Sequence, residues 1–303
     1  MSLILLPHAV LIALTSTPGE RSDLPLHEPA IRAAVAYVNV PAIQQENELR
    51  PPSAFSAGAV PSDRDMHTDR PDTTESPRTV PRGRVQLELS AFEWSRDKHG
   101  PDEDSTDTRR IAIAPLNLKL GVTDSVDFQL VLEPWARIRS GDDDEISGFG
   151  DLTFRTKFNL WGNDEGATAL GIMPFITFPT GADGLSSEAI EGGLILPFAV
   201  DLDHKTGAGF MAELDLVHDP DADRYEAEFL HTAVLSRDLW GGLAGFIEYA
   251  GLLSMHGRDY IATVNTGLTY ELTPDMVLDA GVRIGLTSAA DDIEVFTGVS
   301  LRF

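Results

Sequence analysis

Asp292-Ile293-Glu294-Val295-Phe296-Thr297-Gly298-Val299-Ser300-Leu301-Arg302-Phe303 closes the chain. Val295, Thr297, Val299, Leu301 and Phe303 fall on one face. Glu294, Gly298, Ser300 and Arg302, with Phe296 among them, fall on the other. Side chains alternate across a strand, so this period of two reads as a β-strand with one greasy and one polar face. Chain ends of soluble domains tend to fray in water. A terminal strand that ends on an aromatic asks for surroundings that hold it.

The same alternation recurs from Arg84 onward. About twelve strand candidates span roughly residues 84–96, 108–121, 125–139, 149–161, 167–179, 190–202, 206–218, 224–237, 241–254, 260–272, 275–287 and 291–303. Most are near or somewhat above the 9–11 residues of a tilted membrane strand. In the fourth, Leu152, Phe154, Phe158 and Leu160 alternate with Asp151, Thr153, Arg155, Lys157 and Asn159. In the third, Val126, Phe128, Leu130 and Leu132 oppose Asp127, Gln129 and Glu133. A soluble sandwich would present abundant Lys and Glu to bulk water on its second face. Here that face mixes Gly, Ala, Thr and Asn with isolated charges, which suits a confined lumen. The expected fold class is all-β: a transmembrane up-and-down antiparallel β-barrel of about twelve strands, over residues 81–303.

Composition narrows the function. No run of about 18 apolar residues follows the N-terminus, so no helical membrane span is expected. Cysteine is absent, which removes disulfides, thiolate metal sites and Cys nucleophiles. The net charge of −25 excludes nucleic acid as a partner; halophilic adaptation would give the same acidic excess. Residues 1–17 carry an apolar core of signal-peptide length. No Lys or Arg precedes that core and Pro7 interrupts it; a misassigned start codon would explain both, and a buried N-terminal helix is the alternative. Residues 18–80 are rich in Pro, Ser, Thr, Asp and Arg and should be mostly irregular and periplasmic, apart from a short Ala-rich helix near 29–37.

Bacterial outer-membrane barrels resemble this chain in ending on an aromatic strand, which implies that Phe303 belongs to the signal read by the barrel insertion machinery. With Phe303 placed in the periplasm, the longest connections, 97–107, 140–148 and 181–189, all fall on the outer side, as such barrels require. The acidic excess gathers there: Asp102, Glu103, Asp104 and Asp107, then Asp142, Asp143, Asp144 and Glu145, then Asp219, Asp221 and Asp223. Two readings stand: a solvated, repulsive rim, or divalent-cation binding to the rim or to bridged lipid phosphates. An EF-hand is discounted, because Arg224 occupies the position where that loop needs glycine. No metal centre and no cofactor are expected.

Further motifs carry a family resemblance: Asp69-Arg70-Pro71-Asp72, Gly83-Arg84-Val85-Gln86-Leu87-Glu88, Leu118-Lys119-Leu120-Gly121-Val122-Thr123-Asp124, Gly148-Phe149-Gly150-Asp151-Leu152 and Leu278-Asp279-Ala280-Gly281-Val282-Arg283. In order and spacing, residues 66–303 resemble the transporter-like outer-membrane proteins grouped under the meta-pathway of phenol degradation. The resemblance implies an outer-membrane barrel that helps small, often aromatic or hydrophobic solutes across. It brings no catalytic residues.

If the barrel is a pore, its inward residues set selectivity. Parity puts Arg109, Lys119, Arg137, Arg139, Arg155 and Lys157 on a basic wall of strands two to four. It puts Glu191, Asp201, Glu213, Asp215, Glu226, Glu228 and Glu248 on an acidic wall of strands six to nine. Such walls either set up a transverse field across the lumen or bridge and close it. Asp279, Arg283 and Arg302 are expected to pair locally, and parity points Trp135 inward. Residues 69–84 form either a plug, with Arg70, Arg78 and Arg82 meeting inward carboxylates such as Glu88, or an ordered lead-in to the first strand. Three rivals to transport remain: a lipase-type enzyme, for which His231 and Ser236 lack a third partner, a structural or adhesive surface protein, and a soluble secreted β-protein.

Overall fold

The computed structural model describes residues 64–98, 107–141, 144–164, 166–220, 222–255 and 260–303. The expected signal peptide, the helix near 29–37 and Asp102, Glu103, Asp104, Asp142, Asp143 and Asp221 lie outside the described residues.

Twelve strands run in order: β1 (Val85–Asp97); β2, in two pieces (Thr108–Ile113 and Leu116–Thr123); β3 (Val126–Leu132 and Trp135–Ser140); β4 (Asp144–Gly148 and Leu152–Trp161); β5 (Thr168–Phe178); β6 (Glu191–Asp201); β7 (Thr206–Asp219); β8 (Arg224–Trp240); β9 (Leu243–Ser254); β10 (Ile261–Thr273); β11 (Met276–Gly285); and β12 (Ile293–Arg302). Each pairs antiparallel with the next, and β12 returns to β1 from Gln86↔Arg302 to Arg96↔Ile293. Val85 and Phe303 exchange backbone hydrogen bonds at 3.2 and 2.8 Å, so the last strand is held by the ladder. Closure removes the free edge and pairs the backbone within the wall, which is what allows strands to cross hydrocarbon.

Burial along the strands is inverted relative to a soluble protein. Leu118, Phe128, Phe154, Leu214, Ile247 and Leu268 are exposed on the outside, while Lys119, Gln129, Arg155, Glu248 and Asp279 are buried inside. Water would not tolerate so large an apolar belt; a bilayer is the solvent it fits. Trp161, Trp240, Tyr270 and Phe303 are exposed at the short-turn end, and Tyr225 at the opposite end, as interfacial aromatics are.

Three adjacent strands are interrupted. β2 breaks at Ala114-Pro115, where Ala114 adopts φ +59°. β3 breaks at Glu133-Pro134 and β4 at 149–151. Proline donates no ladder bond and so settles at such breaks. Each proline break shifts the side-chain parity by one. Asn117 and Lys119 face inward below the β2 break, and Arg110 and Ala112 above it. In β3, Gln129 and Val131 give way to Ala136 and Ile138. Beyond the breaks, the connection between β5 and β6 folds inward. Leu185 packs on Ala112, Ala136 and Ile138. Asp151 fastens this loop by accepting the Gly181 and Ser187 backbone N–H groups, each at 2.7 Å, and the Ser187 hydroxyl at 2.8 Å.

Candidate functional site

Residues 64–84 have no strand of their own and lie inside the barrel. Their backbone therefore has to find partners on the wall. They enter at the short-turn end, where Arg84 pairs with Asp275 at 2.9 Å and Thr79 donates its backbone N–H to Asn163 at 2.9 Å. They climb to mid-height and return.

The contacts sort by wall. On the β2–β4 side, Asp69 takes Lys119 and accepts Lys157 Nζ at 2.7 and 3.0 Å, and Glu75 accepts Arg155 at 2.6 Å. On the β9–β10 side, the Thr73 and Thr74 backbone N–H groups and the Thr74 hydroxyl converge on Glu248 at 2.6–3.1 Å, and Asn265 joins them at 2.6 Å. On the β11–β12 side, Arg70 forks onto Asp279 at 2.6 and 3.0 Å and also reaches Ser90. Gly298 stands opposite Asp279 on β12, and the Arg70 guanidinium fills the place where a Cβ would stand. The barrel thus supplies cations to the carboxylates of the segment, and carboxylates to its guanidinium and N–H groups. A buried ion left unpaired costs several kcal/mol, so each of these pairings fixes the segment.

Asp69 is buried, which opposes its charge, yet Lys119 and Lys157 outweigh burial and hold its carboxyl well below the usual range. Burial, reinforced by the Asp69 charge, pushes the Glu75 carboxyl up despite Arg155. Burial and Glu248 push Asp72 up well above its ordinary value.

Several expected inward residues lie elsewhere. Arg109, Arg137 and Arg139 share the outward face with Ile111 and Ile113, because the proline breaks invert the parity on which they were assigned. Trp135 follows them outward, with the Arg137 guanidinium 5.9 Å from its ring. Arg110 takes the inward place and pairs with Glu133 and, at 3.8 Å, Glu93. Lys119, Arg155 and Lys157 face inward but pair with residues 64–84 and Glu88 rather than across the lumen. On the opposite side Glu213, Glu226, Glu228 and Glu248 are buried inward. Glu191, at the outer end of β6, accepts the His218 backbone N–H at 2.8 Å, and Asp201 lies at the short-turn end, 3.6 Å from Arg78. Arg70 reaches Asp279 rather than Glu88, and Arg82 forms no ion pair among the described residues. Asp279, Arg283 and Arg302 do not pair together: Arg283 pairs with Glu294 and Arg302 with Asp275 at 2.6 Å. Arg70 of the segment takes Asp279, while the barrel carboxylates Glu294 and Asp275 take Arg283 and Arg302.

Parity alone did not disclose the inner apolar patch. Met173, Ile195, Met211, Leu230 and Leu252 cluster on the inside of β5–β9, with Phe175 and Ile261 against them. The Glu75 backbone N–H points at Met211 Sδ, 3.4 Å away. The tip of residues 64–84 therefore touches the patch. The motif signal was present in the sequence, since inward positions on these strands are large and apolar where lumens are ordinarily polar.

A family model described as "Putative MetA-pathway of phenol degradation" matches residues 68–303. The chain belongs to this family. The match begins one residue before Asp69, so the phenol-degradation family unit takes in the luminal segment together with the barrel. Among solved structures, the fold is similar to that of an outer membrane channel from Pseudomonas putida F1, with a TM-score of 0.58 and 16% identity over 75% of this chain and 97% of that one. The NanC porin gives a TM-score of 0.47 at 11% identity, covering 70% of this chain and 98% of that one. The toluene transporter TbuX from Ralstonia pickettii gives 0.41 at 7% identity, covering 73% and 89%. No curated protein matches the sequence significantly. The fold is that of an outer-membrane β-barrel.

Proposed function

We propose that this protein is an outer-membrane channel for small apolar or aromatic solutes, held shut by residues 64–84 acting as a luminal plug. The observation that carries the proposal is the anchoring of that segment: its ion pairs and N–H···carboxylate bonds reach β1, β2, β4, β9 and β11 from within. Residues 64–82 form no strand pairing with the wall, so they can leave without breaking the barrel's ladder. The apolar patch above its tip supports an apolar cargo. In this reading the N-terminus and Phe303 face the periplasm, Phe303 serves the insertion machinery, and outer-membrane lipid wraps the belt. The acidic outer connections serve as a solvated, repulsive rim.

The reading is non-enzymatic. His231 bonds to Tyr260 at 3.0 Å on the outward face, whereas Ser236 donates to the Gly207 carbonyl at 3.5 Å. A phospholipid-hydrolysis assay against His231→Ala checks this. Deleting residues 18–75 should raise single-channel conductance in planar bilayers. Unchanged, closed behaviour of the deleted, heat-modifiable barrel would replace the channel by a structural surface protein.

A further inference from the structure

We propose that, when residues 64–84 leave, the lumen exposes a binding site for a small amphiphilic cation, an apolar or aromatic body carrying a protonated amine, between the apolar patch and Glu213. The inference rests on the channel reading and names its class of solute.

Glu213 on β7 stands directly opposite Ile195 on β6 and Leu230 on β8. Both neighbours belong to the apolar patch. Glu213 is 6% exposed, and its Oε2 has no hydrogen-bond partner. A buried carboxylate oxygen in an apolar frame calls for a donor. The next inward pair toward the long-loop end is Asp215 on β7 against Glu228 on β8, and Asp215 shares a side-chain hydrogen bond with Glu213, so the head of the site is a carboxyl pair. Of the nearby cations, Arg155 acts on Glu213 through its charge but gives its ion pair to Glu75 at 2.6 Å, and Arg224 gives its own to Glu226 at 2.7 Å. Gly193 on β6 pairs with Asp215 on β7, and with no side chain at Gly193 the edge of the Phe175 ring and the Asp215 carboxylate close in beside it. An apolar floor, an aromatic edge and a carboxylate head match an ammonium on a hydrocarbon body. An anionic solute would meet like charge, and a pure hydrocarbon would leave the Glu213 oxygen unpaired.

The test uses the full chain, refolded, with phenethylammonium and toluene as probes, by titration and by uptake into proteoliposomes at pH 7. Phenethylammonium should bind about tenfold or more tightly than toluene, the scale of one hydrogen bond to a charged group. Glu213→Gln should erase that preference and Asp215→Asn should reduce it, with heat-modifiable migration checking that each variant folds. Equal binding of the two probes overturns the inference. So does a preference that survives both substitutions. Entry of neither probe, even into the barrel lacking residues 18–75, defeats the channel reading instead.

Discussion

Replacing Asp69 by Asn should open the lumen. The Asp69 side chain is fully buried, as are those of Lys119 and Lys157, which it neutralises. Lys119 keeps Glu88, but Lys157 loses the only carboxylate in contact with it among the described residues. Removing one partner of a buried pair costs about 3–5 kcal/mol. At about 1.4 kcal/mol per tenfold change, the docking constant of residues 64–84 falls by roughly a hundred- to a few-thousand-fold. Barrel closure is unaffected, because Asp69 makes no ladder bond. The assay is single-channel recording in planar bilayers, with heat-modifiable migration as the check on folding. The open fraction should rise by that factor until it saturates. Adding Lys157→Met removes the stranded charge and should recover part of the loss, so the two substitutions should be strongly non-additive. An unchanged open fraction in Asp69→Asn, or strictly additive effects in the double mutant, would refute the reasoning.

Arg70→Met removes the fork onto Asp279 without altering any barrel strand, leaves the Asp279 carboxylate buried without that partner, and should raise the open fraction in the same recordings. The pH response should pass through a minimum. Asp69 contributes to docking fully above about pH 4 and loses it as pH falls through its depressed value. Asp72 and Glu75 work in the opposite sense: their raised values favour docking when protonated, so docking weakens as pH rises above about 4 and through those values. Acidification from pH 8 to about 5 should therefore close the channel further, and acidification below about 3 should open it; a steady rise in open fraction from pH 8 downward would contradict this. Phe154→Arg, on the lipid face, should destabilise folding into vesicles by about 2–4 kcal/mol if it lies near the bilayer midplane, measured by denaturant titration. Phe154→Leu should cost far less.

The strand count, the strand spans and the lipid-facing set were legible in the alternation, because a lipid face and a lumen face impose a period of two on every strand. Phe154, Phe158 and Leu160 against Thr153, Arg155 and Lys157 show this, and each lies on the face that parity gave it. Parity failed where the backbone broke. Pro115 and Pro134 are visible in the sequence, yet whether a proline shifts the count by one depends on how the neighbouring ladders reconnect. That decided Arg110 over Arg109, and Ala136 and Ile138 over Arg137 and Arg139.

The tertiary structure alone decided what fills the lumen. Residues 64–84 are polar and without periodicity, so nothing local distinguishes a plug from a lead-in. Their placement follows from partners far away in sequence, such as Arg70 with Asp279, Thr74 with Glu248 and Asp69 with Lys157. The sequence by itself determined that this chain folds as a closed barrel with its greasy side outward, because that depends on a repeating local pattern. The order of charges inside depended on long-range pairing, because a buried charge is tolerable only beside a partner that the closed barrel brings to it.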